Sequence, residues 1–265
     1  MNYISVVVPA FNEGGVIYNN IKEIEKVLDL FLNKKRKSYE LIIVNDGSTD
    51  NTYDEALRAS KENKKIKVVD YKNNGGKGFA LKYGFKFCSG RYVAFIDADL
   101  DLHPKLIPIF IEHIEHNGAD IVIGSKVHPD SLIKYPIYRR ILSTGYHLFT
   151  RLLFHLDLGD TQTGLKLFKY EALQYVLPKI LCKKYAFDLE LLVNAYHNGF
   201  KIIEAPIELN WQRLENRLKL KDIWKLMLDT FGIFYRLKII KYYTSQNTKS
   251  LNKYILKKAA DNYMN

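Results

Sequence analysis

The first 125 residues alternate short β-branched apolar runs with amphipathic stretches of helical length, and this alternation constrains the fold more than any other feature of the 265-residue chain. The apolar runs fall at 4–8, 40–44, 66–70, 92–96 and 120–123. Between them, 15–32, 51–63, 77–88 and 105–116 carry helical periodicity. Near-continuous apolar strands separated by helices predict an α/β fold with a mostly parallel sheet covered on both faces. In such sheets ligands bind beyond the carboxyl ends of the strands, near the point where strand order reverses.

After Gly124 the pattern changes. Residues 126–138, with Pro129 and Pro136, read as a loop, and 139–154 as a helix rich in Leu, Phe and Tyr. A strand at 165–168 and helices at 171–177 and 187–198 follow. The run 202–209, interrupted by Pro206, fits an edge strand. Residues 222–243 predict one long aromatic helix, and 244–265 a basic, flexible tail. With 47% apolar residues the chain can build one core. The expected organisation is one domain over 1–243, with a ligand-binding half at 1–125, a second half at 126–243 and C-terminal amphipathic helices.

Only two cysteines are present, Cys88 and Cys182, and neither belongs to a CxxC pair. A zinc site or disulfide framework is not expected, which suits a reducing, cytoplasmic compartment. No leader pattern precedes the first apolar run, and no run approaches the roughly 20 apolar residues of a spanning helix. The net charge is +11, and the last 60 residues hold 12 Lys or Arg against five Asp or Glu. Such a surface is a solvated basic face or one that meets anionic membrane or nucleic acid. No nucleic-acid-binding signature accompanies it, and nucleic acid is not expected as a partner.

Three constellations follow predicted strands: Pro9-Ala10-Phe11-Asn12-Glu13, Asn45-Asp46-Gly47-Ser48-Thr49-Asp50 and Asp97-Ala98-Asp99-Leu100-Asp101. Residues two apart on an extended chain point the same way, so Asp97 and Asp99 can aim two carboxylates at one point. Carboxylates so placed suit Mg²⁺ or Mn²⁺, which bind through one or two of them plus substrate phosphates. Asp101, before His103-Pro104, is a candidate cap for the next helix or a third metal ligand. Ser48 or Asp50 is expected to cap the helix from Asn51. The run Asn74-Gly75-Gly76-Lys77-Gly78 matches no standard phosphate loop, yet Lys77 at a helix start can serve an anion.

Taken together and in this order, VVVPAFNE, VNDGSTDNT, NNGGKGFAL and FIDADLDLHP resemble the nucleotide-binding half of family 2 glycosyltransferases, which have the GT-A fold. The segments 123–126, 160–168 and 186–192 are similar to enzymes that make dolichyl- or polyprenyl-phosphate sugars, especially the dolichyl-phosphate glucosyltransferase type. The resemblance runs from about Ile4 to Tyr243. It implies that Pro9, Phe11 and Glu13 line the nucleoside pocket and that Asp46 meets the base or ribose. Asp97 would lie by the diphosphate with Ala98, and Asp99 would ligate the metal. The chain departs from the family pattern in having Lys126 where Arg is frequent, which keeps the charge but loses the bidentate fork. Near the end it reads Glu215-Asn216-Arg217-Leu218-Lys219, so Arg213, Arg217 and Lys219 are candidates for a phosphate contact.

The resemblance also implies inversion by direct displacement, from a UDP- or GDP-hexose to a polyprenyl or dolichyl phosphate. An alcohol acceptor, as in polysaccharide synthesis, needs a general base, and Asp160, Asp188 and Glu190 are available. A phosphate monoester is already largely dianionic at neutral pH and needs cations instead. Lys126, Lys134, Arg139, Arg140, Arg151 and Lys166 offer them, with Lys126 and Arg139 foremost. The aromatic helix at 222–243 suits a membrane interface. The expected location is the cytoplasmic face of a membrane, with a membrane-protein partner possible.

Overall fold

The computed structural model describes residues 2–134, 137–210 and 220–243, without side-chain detail at 134, 137–142, 210, 220 and 221. The first half runs β1 (Ile4–Ala10), α1 (Ile17–Asn33), β2 (Tyr39–Asp46), α2 (Thr52–Glu62), β3 (Ile66–Tyr71), α3 (Lys77–Phe85), β4 (Tyr92–Ile96), α4 (Leu106–Asn117) and β5 (Ile121–Ser125). The second half adds β6 (Leu132–Lys134), α5 (Ile137–Phe154), β7 (Leu165–Lys169), α6 (Tyr170–Val176), α7 (Phe187–His197), β8 (Ile202–Pro206), β9 (Glu208–Asn210) and α8 (Leu220–Phe234). The expected strands and helices of the first half are all present, each within about three residues of its predicted bounds.

Seven strands form one sheet in the order β3-β2-β1-β4-β7-β5-β8. All neighbours are parallel except β7, which runs antiparallel between β4 and β5. Strand order therefore reverses at β1 and β4, the place where this fold class binds ligands. Alternate side chains enter opposite cores. Val6, Val8, Leu41, Ile43, Ala94 and Ile96 pack under α1, α2 and α4. Val7, Ile42, Val44, Val93 and Phe95 pack under α3, α6 and α7. That two-sided burial is why the strands read as continuous apolar runs rather than as alternating ones.

Three expectations are corrected here. The loop at 126–138 contains β6, which pairs in parallel with β9 in a separate two-stranded sheet, and α5 already begins at Ile137. The helix expected over 222–243 ends at Phe234, followed by a π-helical turn at Tyr235–Ile239. Arg236 Nη2 and Tyr243 Oη both reach the buried Glu190 carboxylate, at 2.8 and 2.6 Å, and these contacts fold the last described residues back onto α7. Asp101 does not cap α4, whose first turn begins after Lys105 with no side-chain cap. Instead His103 Nδ1 accepts the Lys105 amide at 3.0 Å. The expected edge strand is β8. Arg213, Arg217, Lys219 and the tail at 244–265 lie outside the described residues, as do the side chains of Lys134, Arg139 and Arg140.

Candidate active site

The carboxyl ends of β1, β2 and β4 are braced against one another. Asn12, at φ 54°, holds the loop after β1: its amide donates to Ser48 Oγ at 3.1 Å and its Oδ1 accepts the Thr49 amide at 2.9 Å. Asp50 Oδ2 accepts the Gly14 amide and Oδ1 that of Thr52, both at 3.0 Å, so Asp50 serves the start of α2 as expected. Thr52 Oγ1 in turn accepts the Glu13 amide at 2.8 Å. Within this frame Pro9 and Glu13 are partly exposed and Phe11 is exposed. The three residues stand together at the mouth of β1.

Asp46 is buried and engaged by the protein itself. Its carboxylate accepts hydrogen bonds from Tyr71 Oη at 2.8 Å, from the Gly75 and Gly76 amides at 2.6 and 2.9 Å, and from Asn74 Nδ2 at 3.2 Å. Burial pushes its pKa up, and these donors oppose the shift. Asp46 therefore shapes the 74–78 loop. Gly76 takes φ 88°, a left-handed conformation that favours glycine, immediately before α3 begins with Lys77.

Lys77 joins two carboxylates. Its Nζ lies 2.7 Å from Asp97 Oδ1 and 3.6 Å from Asp188 Oδ2. Asp188 Oδ1 pairs at 2.7 Å with Lys166 Nζ, a lysine that is almost fully buried. Charges thus alternate from Lys166 through Asp188 and Lys77 to Asp97. Burial raises Asp97, and Lys77 opposes that rise. Burial would also raise Asp188, but the charges of Lys166 and Lys77 outweigh it and hold the group below its ordinary range.

The antiparallel strand builds this cluster. Leu165 of β7 pairs with Ile96, so the chain entering β7 lies beside the chain leaving β4. A Cβ on Gly164 would overlap Asp97 Oδ2, so only glycine lets the chain entering β7 pass this close to that carboxylate. Ala98 is buried, and its carbonyl accepts a 2.7 Å hydrogen bond from Asn20 Nδ2. Leu100, at φ 51°, turns the backbone after Asp99. Among the described residues no three His, Cys, Asp or Glu side chains converge as a metal cage.

Several expected acceptor-side groups are placed differently from their sequence reading. Lys126 is held by the fully buried Asp160, at 2.7 Å. Lys166 is the buried partner of Asp188 rather than an open cation. Arg151 pairs with exposed Asp157. Glu190 accepts the Leu181 and Cys182 amides in addition to Arg236 and Tyr243. Asp160, Asp188 and Glu190 are thus each paired within the protein. Gly164 carried no sequence signal of its own, because its significance depends on the β4–β7 register.

A mostly parallel sheet with paired aspartates at the β4 end and a glycine-rich turn beside them defines a GT-A-like fold. Solved structures agree. Glucosyl-3-phosphoglycerate synthase from Mycobacterium tuberculosis, in complex with Mn²⁺, uridine diphosphate and glucosyl-3-phosphoglycerate, superimposes with a TM-score of 0.66 at 22% identity, covering 88% of this chain and 79% of that one. The glycosyl transferase family 2 model matches residues 5–177, and the chain belongs to that family. It is 34% identical to a dolichyl-phosphate beta-glucosyltransferase of Dictyostelium discoideum, over 80% of this chain and 67% of the relative. The Saccharomyces cerevisiae protein of the same name is 31% identical, over 80% and 68%. Glycosyltransferase AglD of Haloferax volcanii is 30% identical over 77% of this chain but only 32% of its own length.

Proposed function

We propose that this glycosyltransferase moves a hexose, glucose or mannose, from a UDP- or GDP-sugar to a polyprenyl or dolichyl phosphate at the cytoplasmic face of a membrane, with inversion. The observation that carries the reading is the junction of Asp97 and Asp99 with Lys77 at the start of α3. The names of the relatives point to the acceptor class. Asp160 and Asp188, carboxylates that an alcohol acceptor would recruit as base, are instead held in ion pairs with Lys126 and Lys166. A phosphate acceptor needs no such base.

Asp97 and Asp99 fit Mg²⁺ or Mn²⁺: they are hard oxygen donors, and both are partly exposed beyond the end of β4. When bound, the ion neutralises charge that develops on the departing diphosphate. Pro9, Phe11 and Glu13 line the nucleoside side of the pocket, and Asp46 holds the loop that presents Lys77. Lys77 stands ready to exchange Asp97 for a donor phosphate. Lys126 and Arg139 remain the candidates to steady the acceptor phosphate.

The test is transfer of radiolabelled sugar from UDP-glucose and from GDP-mannose to purified polyprenyl phosphate, followed by mild acid release of the sugar. Product formation is expected to depend on the lipid phosphate. Transfer only to a saccharide hydroxyl overturns the acceptor assignment. Gly164→Ala tests the metal and diphosphate site separately. Its new methyl should displace the Asp97 carboxylate and weaken Mn²⁺-dependent nucleotide binding by up to roughly 10²-fold, with circular dichroism unchanged. Wild-type nucleotide affinity in that variant, read by titration calorimetry, removes Asp97 from the site.

A further inference from the structure

The end of α3 that carries Lys77 is seated by the first turn of α7 and the loop before it. The Lys77 ammonium meets Asp188 of α7 at 3.6 Å. A Cβ on Gly78 would overlap the Phe187 ring, so glycine lets the two helices touch there. No side chain caps α3. The Gly78 amide, one of the first-turn donors a helix leaves open, donates instead to the Lys183 carbonyl at 2.9 Å. Gly76 fits under the same carbonyl, which a Cβ would approach to 2.8 Å. Lys82, further along α3, donates to the Ile180 carbonyl at 2.6 Å. The 180–183 loop is therefore the brace on which the Lys77 turn rests.

That loop is anchored in turn by Glu190, a fully buried carboxylate. Its two oxygens face opposite partners. Oε2 accepts the Leu181 and Cys182 amides at 2.8 and 2.6 Å. Oε1 accepts Tyr243 Oη at 2.6 Å and the Arg236 guanidinium at 2.8 Å. A buried carboxylate persists only when it is paired and hydrogen-bonded, so Glu190 depends on both sets of partners. Arg236 Nε also reaches Tyr243 Oη at 3.0 Å, and Lys179 Nζ donates to the Tyr243 carbonyl at 3.1 Å. These contacts close the last described turn over α7. No helix among the described residues is long and apolar enough to cross a membrane; α8 lies against α5 and α7.

We infer that Glu190, with Arg236 and Tyr243 behind it, is a positioning residue for the diphosphate site: it transmits the docking of the C-terminal turn through the 180–183 loop to Lys77. The path is contiguous. It runs from Tyr243 Oη to Glu190, from Glu190 to the 181–182 amides, and from the Lys183 carbonyl to the Gly78 amide beside Lys77. The part Lys77 plays toward a diphosphate rests on the proposed function, whereas the brace beneath its turn stands independently of it. The position demands a carboxylate. A glutamine has an acceptor oxygen on one side and donor hydrogens on the other, so it can hold the loop or the C-terminal turn but not both.

Two readouts on the full chain test this. In the free protein, Glu190→Gln and Tyr243→Phe should each speed amide hydrogen exchange at Gly78. In calorimetric titrations with UDP and with GDP, Mn²⁺ present, the same variants should weaken nucleotide binding by roughly three- to thirtyfold, the usual size of coupling through a connected network. In a Lys77→Met background Tyr243→Phe should weaken binding no further, because its effect travels through Lys77. Leu28→Ala, which opens a cavity in the opposite core, should lower the melting temperature and leave both readouts unchanged well below it. Gly78 exchange at the wild-type rate in both folded variants overturns the brace. Faster exchange with unaltered nucleotide affinity, or a further loss in the Lys77→Met background, overturns the link to the diphosphate site. A wild type that binds neither nucleotide overturns the transferase reading and the link with it, whatever the exchange shows.

Discussion

Asp99→Asn is expected to cut sugar transfer by roughly 10²–10³-fold while leaving the fold intact, the scale for losing one preorganised group that stabilises transition-state charge. Asp99 is partly exposed at the end of the turn after β4, outside both hydrophobic cores, so the substitution removes a charge without opening a cavity. EDTA should produce the same loss in the wild type, and Mn²⁺ or Mg²⁺ should restore it. Circular dichroism and the melting temperature of the variant should match the parent. Full activity in chelator, with metal analysis confirming that none remains, would falsify the metal mechanism.

Asp188→Asn should act first on stability. The change leaves Lys166 charged and almost fully buried with a neutral partner, a situation that costs roughly 3–5 kcal/mol. For a chain of this size that corresponds to a melting temperature lower by roughly 6–20 °C. Lys166→Met/Asp188→Leu should recover much of the loss, because a buried ion pair replaced by apolar groups of similar volume is often neutral. The acid dependence has a definite sign. Asp188 and Asp160 are both held below their ordinary range: burial opposes this, and Lys166 and Lys126 respectively outweigh it. Their stabilisation is complete above the unfolded-chain value of about 3.9 and disappears as pH falls through the folded values below it. The variant should therefore show a shallower loss of stability in acid than the parent. A variant that melts with the wild type, with the same acid limb, removes the ion pair from the stability of the fold. Assayed well below its melting temperature, Asp188→Asn should retain most of its activity. A loss of several orders of magnitude in the folded enzyme instead places a base at Asp188 and an alcohol at the acceptor site.

The sequence alone determined the strands and helices of the first half. Two-sided burial requires strands that are apolar at every position, and helices between them require a 3.6-residue period, so both signals are local and survive in the linear chain. Asp97 and Asp99 stood out in the sequence as a strand-end pair. The strand stops at Ile96, however, and the chain turns through 98–99, so their direction is set by that turn and not by extended spacing. The tertiary structure decided what spacing cannot encode. β7 reads like any short strand, and only its antiparallel insertion between β4 and β5 brings Gly164 against Asp97. That insertion also turns Lys166 toward Asp188, burying a residue that the sequence offered as an acceptor cation. Asp46 is engaged by Tyr71, Gly75 and Gly76, donors that only the fold brings to it. The helix expected to reach Tyr243 stops at Phe234, where Arg236 and Tyr243 meet Glu190 some 50 residues earlier in the chain. Each of these outcomes turns on a contact between residues far apart in the chain, and periodicity carries no information about that partner.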